Sequence, residues 1–218
     1  MKAVIIRIEN PSSPAMEASM EAAQRCVETL DRYGVEYEFL PAVVPSDAIV
    51  ADAMNDPVFM KGFETNLKWS RIPQAVSAHL SHRRIWNDVA QSSSPVLILE
   101  HDAILTGPIP DVEWGPVTNV GKPSYGKFRT SKRKGVQPLF SKRYFPGAHG
   151  YVVTPEGGIR LSNDRVGGSP DTYLHISRFP WLAEYTPWFV DVIDTFSSIQ
   201  MESGTMAKHN ITKGYRLL

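Results

Sequence analysis

The chain has 218 residues, 42% of them apolar and 21% charged, the composition of an ordinary globular domain long enough to bury one sizeable core. Its 23 basic and 23 acidic residues cancel, so the overall charge gives no reason to expect a nucleic-acid or membrane partner. No apolar run reaches the roughly 18 residues of a bilayer span. The N-terminus, MKAVIIRIENPSSP, lacks the apolar length and cleavage site of a secretory signal. The single cysteine, Cys26, excludes an internal disulfide and fits a reducing, cytoplasmic compartment.

The β-branched run at residues 3–8 predicts a first strand, closed by Glu9-Asn10-Pro11. Ser12 or Ser13 offers a cap and Pro14 suits the first helical position. Met16, Met20, Ala23, Val27 and Leu30 recur at helical spacing on one face. Cys26 beside that face reads as a small buried hydrophobe. Gly34 ends the helix, and residues 35–40 alternate like a strand. Strand, helix and strand within about 40 residues form the βαβ unit of a parallel sheet.

Residues 41–73 read as irregular, with short helical pieces between Pro41, Pro45, Pro57 and Pro73. A helix is expected over residues 74–91, and the run Val96-Leu97-Ile98-Leu99 predicts a strand buried on both faces. Residues 106–146 read as loops and short strands, 150–154 as a strand, and Pro155-Glu156-Gly157-Gly158 as a helix start. Residues 188–193 give the last expected strand, and 203–218 a polar, irregular tail. The expectation is one α/β domain over residues 1–218, built on a mixed, mostly parallel central sheet with flanking helices.

The sharpest chemical feature is the strand end Leu99-Glu100-His101-Asp102. In open α/β sheets the crevice beyond the carboxyl ends of the strands binds ligands. In an extended segment Glu100 and Asp102 point to the same side, an oxygen pair suited to magnesium or manganese with phosphate completing the shell. Two solvated charges at a strand end are the alternative reading. On the preceding helix, His79 and His82 share the apolar face, as hydrogen-bonded core histidines do. Ser81 and His82 do not face each other, and no Gly-x-Ser-x-Gly elbow is present, which excludes a serine hydrolase.

Four blocks in order resemble glycosyltransferase family 25: Ser81-His82-Arg83-Arg84-Ile85-Trp86, the strand ending in Glu100-His101-Asp102, Gly147-Ala148-His149-Gly150-Tyr151, and Ser169-Pro170-Asp171. The family's Arg-Gly-x-x-Gly-Cys stands here as Ser70-Arg71-Ile72-Pro73-Gln74-Ala75, without the glycines. Its Arg-rich stretch after the first strand is replaced by Asn10-Pro11-Ser12-Ser13-Pro14. The resemblance implies a GT-A, Rossmann-like fold. It also implies an inverting, Mn2+- or Mg2+-dependent transfer from a nucleotide sugar, a uridine-diphosphate hexose above all, to a glycan or lipooligosaccharide hydroxyl.

On that resemblance Asp102 is the principal metal ligand, with Glu100 beside it or on the donor ribose, and His209 a late third ligand or a solvated tail residue. Asp171 is the general base or, alternatively, a helix N-cap. His149 lines the acceptor side or packs in its strand. Ile8, Glu9, His82, Lys127 and Arg129 complete the donor site.

Residues 121–147 carry eight basic and no acidic residues, interleaved with Tyr125, Phe128, Phe140, Tyr144 and Phe145. They read as a mobile loop closing on the donor diphosphate, or as a surface for a polyanionic acceptor such as a hydroxylated base in DNA. A solvated loop, an inactive sugar- or nucleotide-binding module and a metal-dependent hydrolase on Glu100, His101, Asp102 and His149 are the remaining alternatives.

Overall fold

The computed structural model describes residues 1–66, 68–201 and 211–218. β1 (Lys2–Arg7), α1 (Met16–Arg32) and β2 (Tyr37–Pro41) form the expected βαβ unit, and β1 pairs in parallel with β2. Next come α2 (Ala48–Met54), α3 (Pro57–Met60) and a 3-10 turn, Lys61–Asn66. The long helix α4 (Ile72–Ala90) then leads into β3 (Val96–Glu100) and β4 (Ala103–Leu105). The remaining elements are β5 (Val117–Asn119), β6 (Gly135–Pro138), β7 (Gly150–Val153), α5 (Pro155–Ser162), α6 (Pro170–Tyr173), β8 (Ala183–Thr186), β9 (Val190–Val192), β10 (Asp194–Ser197) and β11 (Ile211–Leu217).

Seven strands form one mixed sheet in the order β2-β1-β3-β7-β5-β8-β6. The pairings set β7 and β6 against the common direction of the other five. Alternation along each strand sorts the core into two layers. Val4, Ile6, Ile98, Tyr151 and Val153 face Ile85, Trp86 and Val89 of α4, while Ala3, Ile5, Leu97, Leu99 and Val152 face Cys26, Val27 and Leu30 of α1. Cys26 is fully buried, and burial, with the nearby Asp102 charge, pushes its thiol up to about 12. It is an inert packing residue.

Several elements depart from the expected ones for local reasons. Asn10 accepts the Ser12 N–H and hydroxyl, which closes a turn before the helix, so α1 begins at Met16 with Ala15 at its N-cap. Met20 is exposed, because the first half of α1 packs through Ala15, Ala18 and Ala22 against Phe196. Ser19 there accepts the Ile8 N–H at 2.8 Å. The tail is not wholly irregular, since β11 pairs in parallel with β10. Strand β8 was not expected at all, and only residues 190–192 of the predicted last strand pair, with β4.

Gly158, in the first turns of α5, lets that helix lie directly on α4. A Cβ on Gly158 would sit 2.6 Å from the Ala90 nitrogen and 2.8 Å from the Trp86 carbonyl oxygen. Both obstacles are backbone, so neither can rotate away. Gly158→Ala is therefore expected to destabilise the fold by about 1–3 kcal/mol, measured by urea denaturation. A neutral result would mean that the helices do not pack this closely.

Candidate functional site

Strands β2 and β3 flank β1 on opposite sides. The chain reverses its winding there, and the carboxyl ends of β1 and β3 diverge as at the switch point where α/β sheets bind ligands. A cavity of about 820 Å³ opens at that place, with Ile6 and Ile8 at the end of β1 and Glu100, His101 and Asp102 at the end of β3 among its walls. His82 of α4, His149 before β7 and Asp171 of α6 also line it.

One buried hydrogen-bond chain fixes the floor. Trp86 donates its indole N–H to the Tyr151 hydroxyl oxygen at 2.9 Å. The indole only donates and the Glu100 carboxylate at the other end only accepts, so the phenol turns its own proton to His82 Nδ1, 2.7 Å away. The imidazole proton must then sit on Nε2, which donates to Glu100 Oε1 at 3.2 Å. Burial lowers the His82 pKa to about 4, against the pull of Asp171, so the ring is neutral and the contact with Glu100 is a hydrogen bond rather than an ion pair. The resemblance assigns His82 to the donor. The structure makes it the residue that holds Glu100 in place.

Asp102 lies in the two-residue turn between β3 and β4, so the extended geometry expected for Glu100 and Asp102 does not occur. Both still reach the cavity, and the turn is anchored where the Ile193 N–H bonds the Asp102 carbonyl at 3.1 Å. Among the described residues, no group of three or more His, Cys, Asp or Glu is placed to hold a metal ion. Glu100 and Asp102 supply carboxylate oxygens at the cavity, the type of donor that Mg2+ takes alongside phosphate oxygens. His209 lies outside the described residues.

Asp171 is not an N-cap. Ser169 holds that position, and Asp171 Oδ1 accepts the Ala148 N–H at 3.0 Å across the cavity wall. Burial and the nearby Glu100 carboxylate push its pKa up to about 6, against the Ala148 N–H and the Tyr125 hydroxyl, which favour the ionised form. A carboxylate with that pKa is half-ionised just below neutrality, where a general base is most useful.

His149 is buried to 2% exposure, and burial lowers its pKa to about 4. Its ring is hemmed in by glycines, since a Cβ on Gly121 would lie 2.6 Å from Nε2 and one on Gly147 2.5 Å from Nδ1. Its Nε2 has no hydrogen-bond partner among the described residues. His79, as expected for a core histidine, bonds the Gly168 carbonyl at 2.9 Å.

The expected donor contacts divide. Ile8 lines the cavity, whereas Glu9, Lys127 and Arg129 do not. Glu9 pairs with Arg7 at 2.7 Å, and Arg129 lies over the Phe140 ring, 4.2 Å from its centroid. The cavity-lining cations are instead Arg71 and Lys142. Arg71 donates to the Ser197 and Gln200 carbonyls at 3.4 and 3.2 Å, which sets it beside the β10 segment whose Phe196 stacks on His101. Lys142 donates to the Tyr125 carbonyl and Tyr144 hydroxyl at 2.7 and 3.2 Å, on the Asp171 side. Residue type alone marked Lys142 as one basic residue of eight; only the backbone path selects it.

No protein-family model and no curated protein matches this chain. No helix among the described residues is long and apolar enough to cross a membrane.

Tyr151→Phe tests the relay. It strands the Trp86 N–H and releases His82 Nδ1, at an expected cost of about 1–3 kcal/mol. Nitrogen NMR of His82 should show the Nε2–H tautomer in the wild type and keep it in the variant, because Glu100 still accepts from Nε2, while Nδ1 shifts on losing its donor. An Nδ1–H tautomer in the wild type would refute the relay.

Proposed function

We propose that the chain is a metal-dependent inverting glycosyltransferase of GT-A type, moving a sugar from a nucleotide donor to an acceptor hydroxyl. One observation carries this reading. The four blocks that resemble family 25 lie far apart in sequence, yet their polar residues meet at one cavity: His82, Glu100 and Asp102, His149, and Asp171.

The two sides of the cavity divide the labour. On one side Asp102 would hold the cation, with Arg71 supplying a second positive charge for the diphosphate. A bound Mg2+ or Mn2+ would supply Lewis-acid stabilisation of the leaving phosphate. Glu100, oriented by neutral His82, would accept from donor hydroxyls. On the other side Asp171 takes the acceptor hydroxyl proton as that oxygen bonds to the anomeric carbon. The bond from that carbon to the phosphate oxygen breaks, the configuration inverts, and the nucleoside diphosphate leaves.

Donor turnover across a panel of nucleotide sugars, with and without manganese, tests the proposal. Metal-dependent consumption of one donor is expected, lost in Asp102→Ala. Asp171→Asn should keep the fold and donor affinity but lower kcat by about 10²- to 10⁴-fold. Because the base acts ionised, the wild-type rate should rise with pH and reach half its plateau near pH 6. Turnover that is indifferent to both substitutions would overturn the assignment.

A further inference from the structure

The basic segment is a two-armed tongue with the cavity at its root. The Arg129 N–H donates to the Ser141 carbonyl at 3.0 Å, Ser131 donates to Gln137 at 2.9 Å, and Lys142 reaches back to Tyr125. Residues 125–131 therefore lie alongside 137–142, with Lys132, Arg133 and Lys134 at the turn between them. The returning arm carries β6, the edge strand of the main sheet.

Lys127, Lys132, Arg133, Lys134 and Arg143 are all exposed, and among the described residues none is ion-paired with a carboxylate. Lys122 is paired with Asp191 at 3.0 Å, and Arg129 lies within the field of Glu184. The segment holds eight cations and no acid, while the rest of the chain carries the balancing acidic excess. Such segregation focuses a positive potential on one surface and leaves the molecule neutral.

The root of the tongue is aromatic. Tyr125 and Tyr144 stack with centroids 6.2 Å apart, Tyr144 stacks on His175 at the same spacing, and Lys142 sits 4.5 Å from the Tyr125 ring centroid. Tyr125, Lys142 and Tyr144 line the cavity on the side of Asp171. A donor diphosphate needs one or two cations, and Arg71 already stands on its side.

We infer that the acceptor is a single strand of nucleic acid whose phosphates follow the tongue from Lys132–Lys134 to Lys142 and whose target base enters the cavity against Tyr125 and Tyr144. Exposed cations that track a backbone, leading to rings on which a base stacks, make up the general design of single-strand binding. The acceptor oxygen is a hydroxyl carried by that base. It bonds to the anomeric carbon, its proton passes to Asp171, and the nucleoside diphosphate departs. The base must leave any stack to reach the cavity, which favours single strands over duplex. This identification of the acceptor rests on the transfer reading, but the surface can be tested without it.

The test is fluorescence anisotropy of the full chain with a labelled single-stranded DNA, its duplex, and heparin as a sulfated-glycan control, over a salt series. The comparison is with Lys132→Ala/Arg133→Ala/Lys134→Ala. The wild type should prefer the single strand. The triple variant should bind it at least about tenfold more weakly, with a log–log salt slope shallower by about 2. Donor affinity, measured without nucleic acid, should be unchanged, because none of the three residues lines the cavity. Absence of DNA binding by a chain that still turns over a donor, or tighter binding of heparin than of DNA, would overturn the inference. DNA binding without donor turnover would uphold the surface and count against the transfer reading alone.

Discussion

The hydrogen-bond chain from Trp86 through Tyr151 and His82 to Glu100 ties the buried face of α4 to the centre of the sheet and then to the end of β3. Its direction is set at its two ends, by an indole that can only donate and a carboxylate that can only accept. From there each proton position follows in turn, and the last group in the line is a carboxylate on the cavity wall. Burial keeps His82 neutral. The chain therefore fixes a geometry without adding a charge, and it ends on the Glu100 carboxylate at the cavity. That carboxylate is in turn one of the causes that raise the Asp171 pKa. A packing decision in the core thus reaches the group best suited to take a proton.

The switch in winding direction at β1 supplies the space that this chemistry occupies. With β2 on one side of β1 and β3 on the other, the connecting segments diverge beyond the strand ends. The antiparallel β7 brings its amino-terminal end, with His149, to the same edge. Parallel strands alone would have placed that residue at the far side of the sheet. The mixed sheet is what allows residues from four stretches of sequence to share one cavity.

Periodicity made the βαβ unit, the long helix and the buried strand at 96–99 legible, because each is long or strongly patterned. Burial of His79 and Cys26 was legible for the same reason, as was the convergence on Glu100 and Asp102, although a turn rather than an extended strand brings it about. The short strands β8, β10 and β11 were not legible, since their pairing comes from neighbours distant in sequence. The places of Arg71 and Lys142 at the cavity were hidden in a different way. A cation's use depends on where its backbone passes, and the eight cations of the basic segment look alike until the arms fold against each other. Met20 shows the converse error. Helical spacing placed it on the apolar face, but small alanines let Phe196 close that surface without it.

Glycosyl transfer with inversion at this cavity is the central claim, and the stereochemistry at the sugar tests it most directly. Proton NMR can follow the anomeric signal while the wild-type chain, with manganese, consumes an α-linked nucleotide sugar. A product that first appears in the β configuration, together with free nucleoside diphosphate, is the predicted result. A product that first appears as α would contradict a single displacement assisted by Asp171, and an intact donor across the whole panel would contradict the transfer itself.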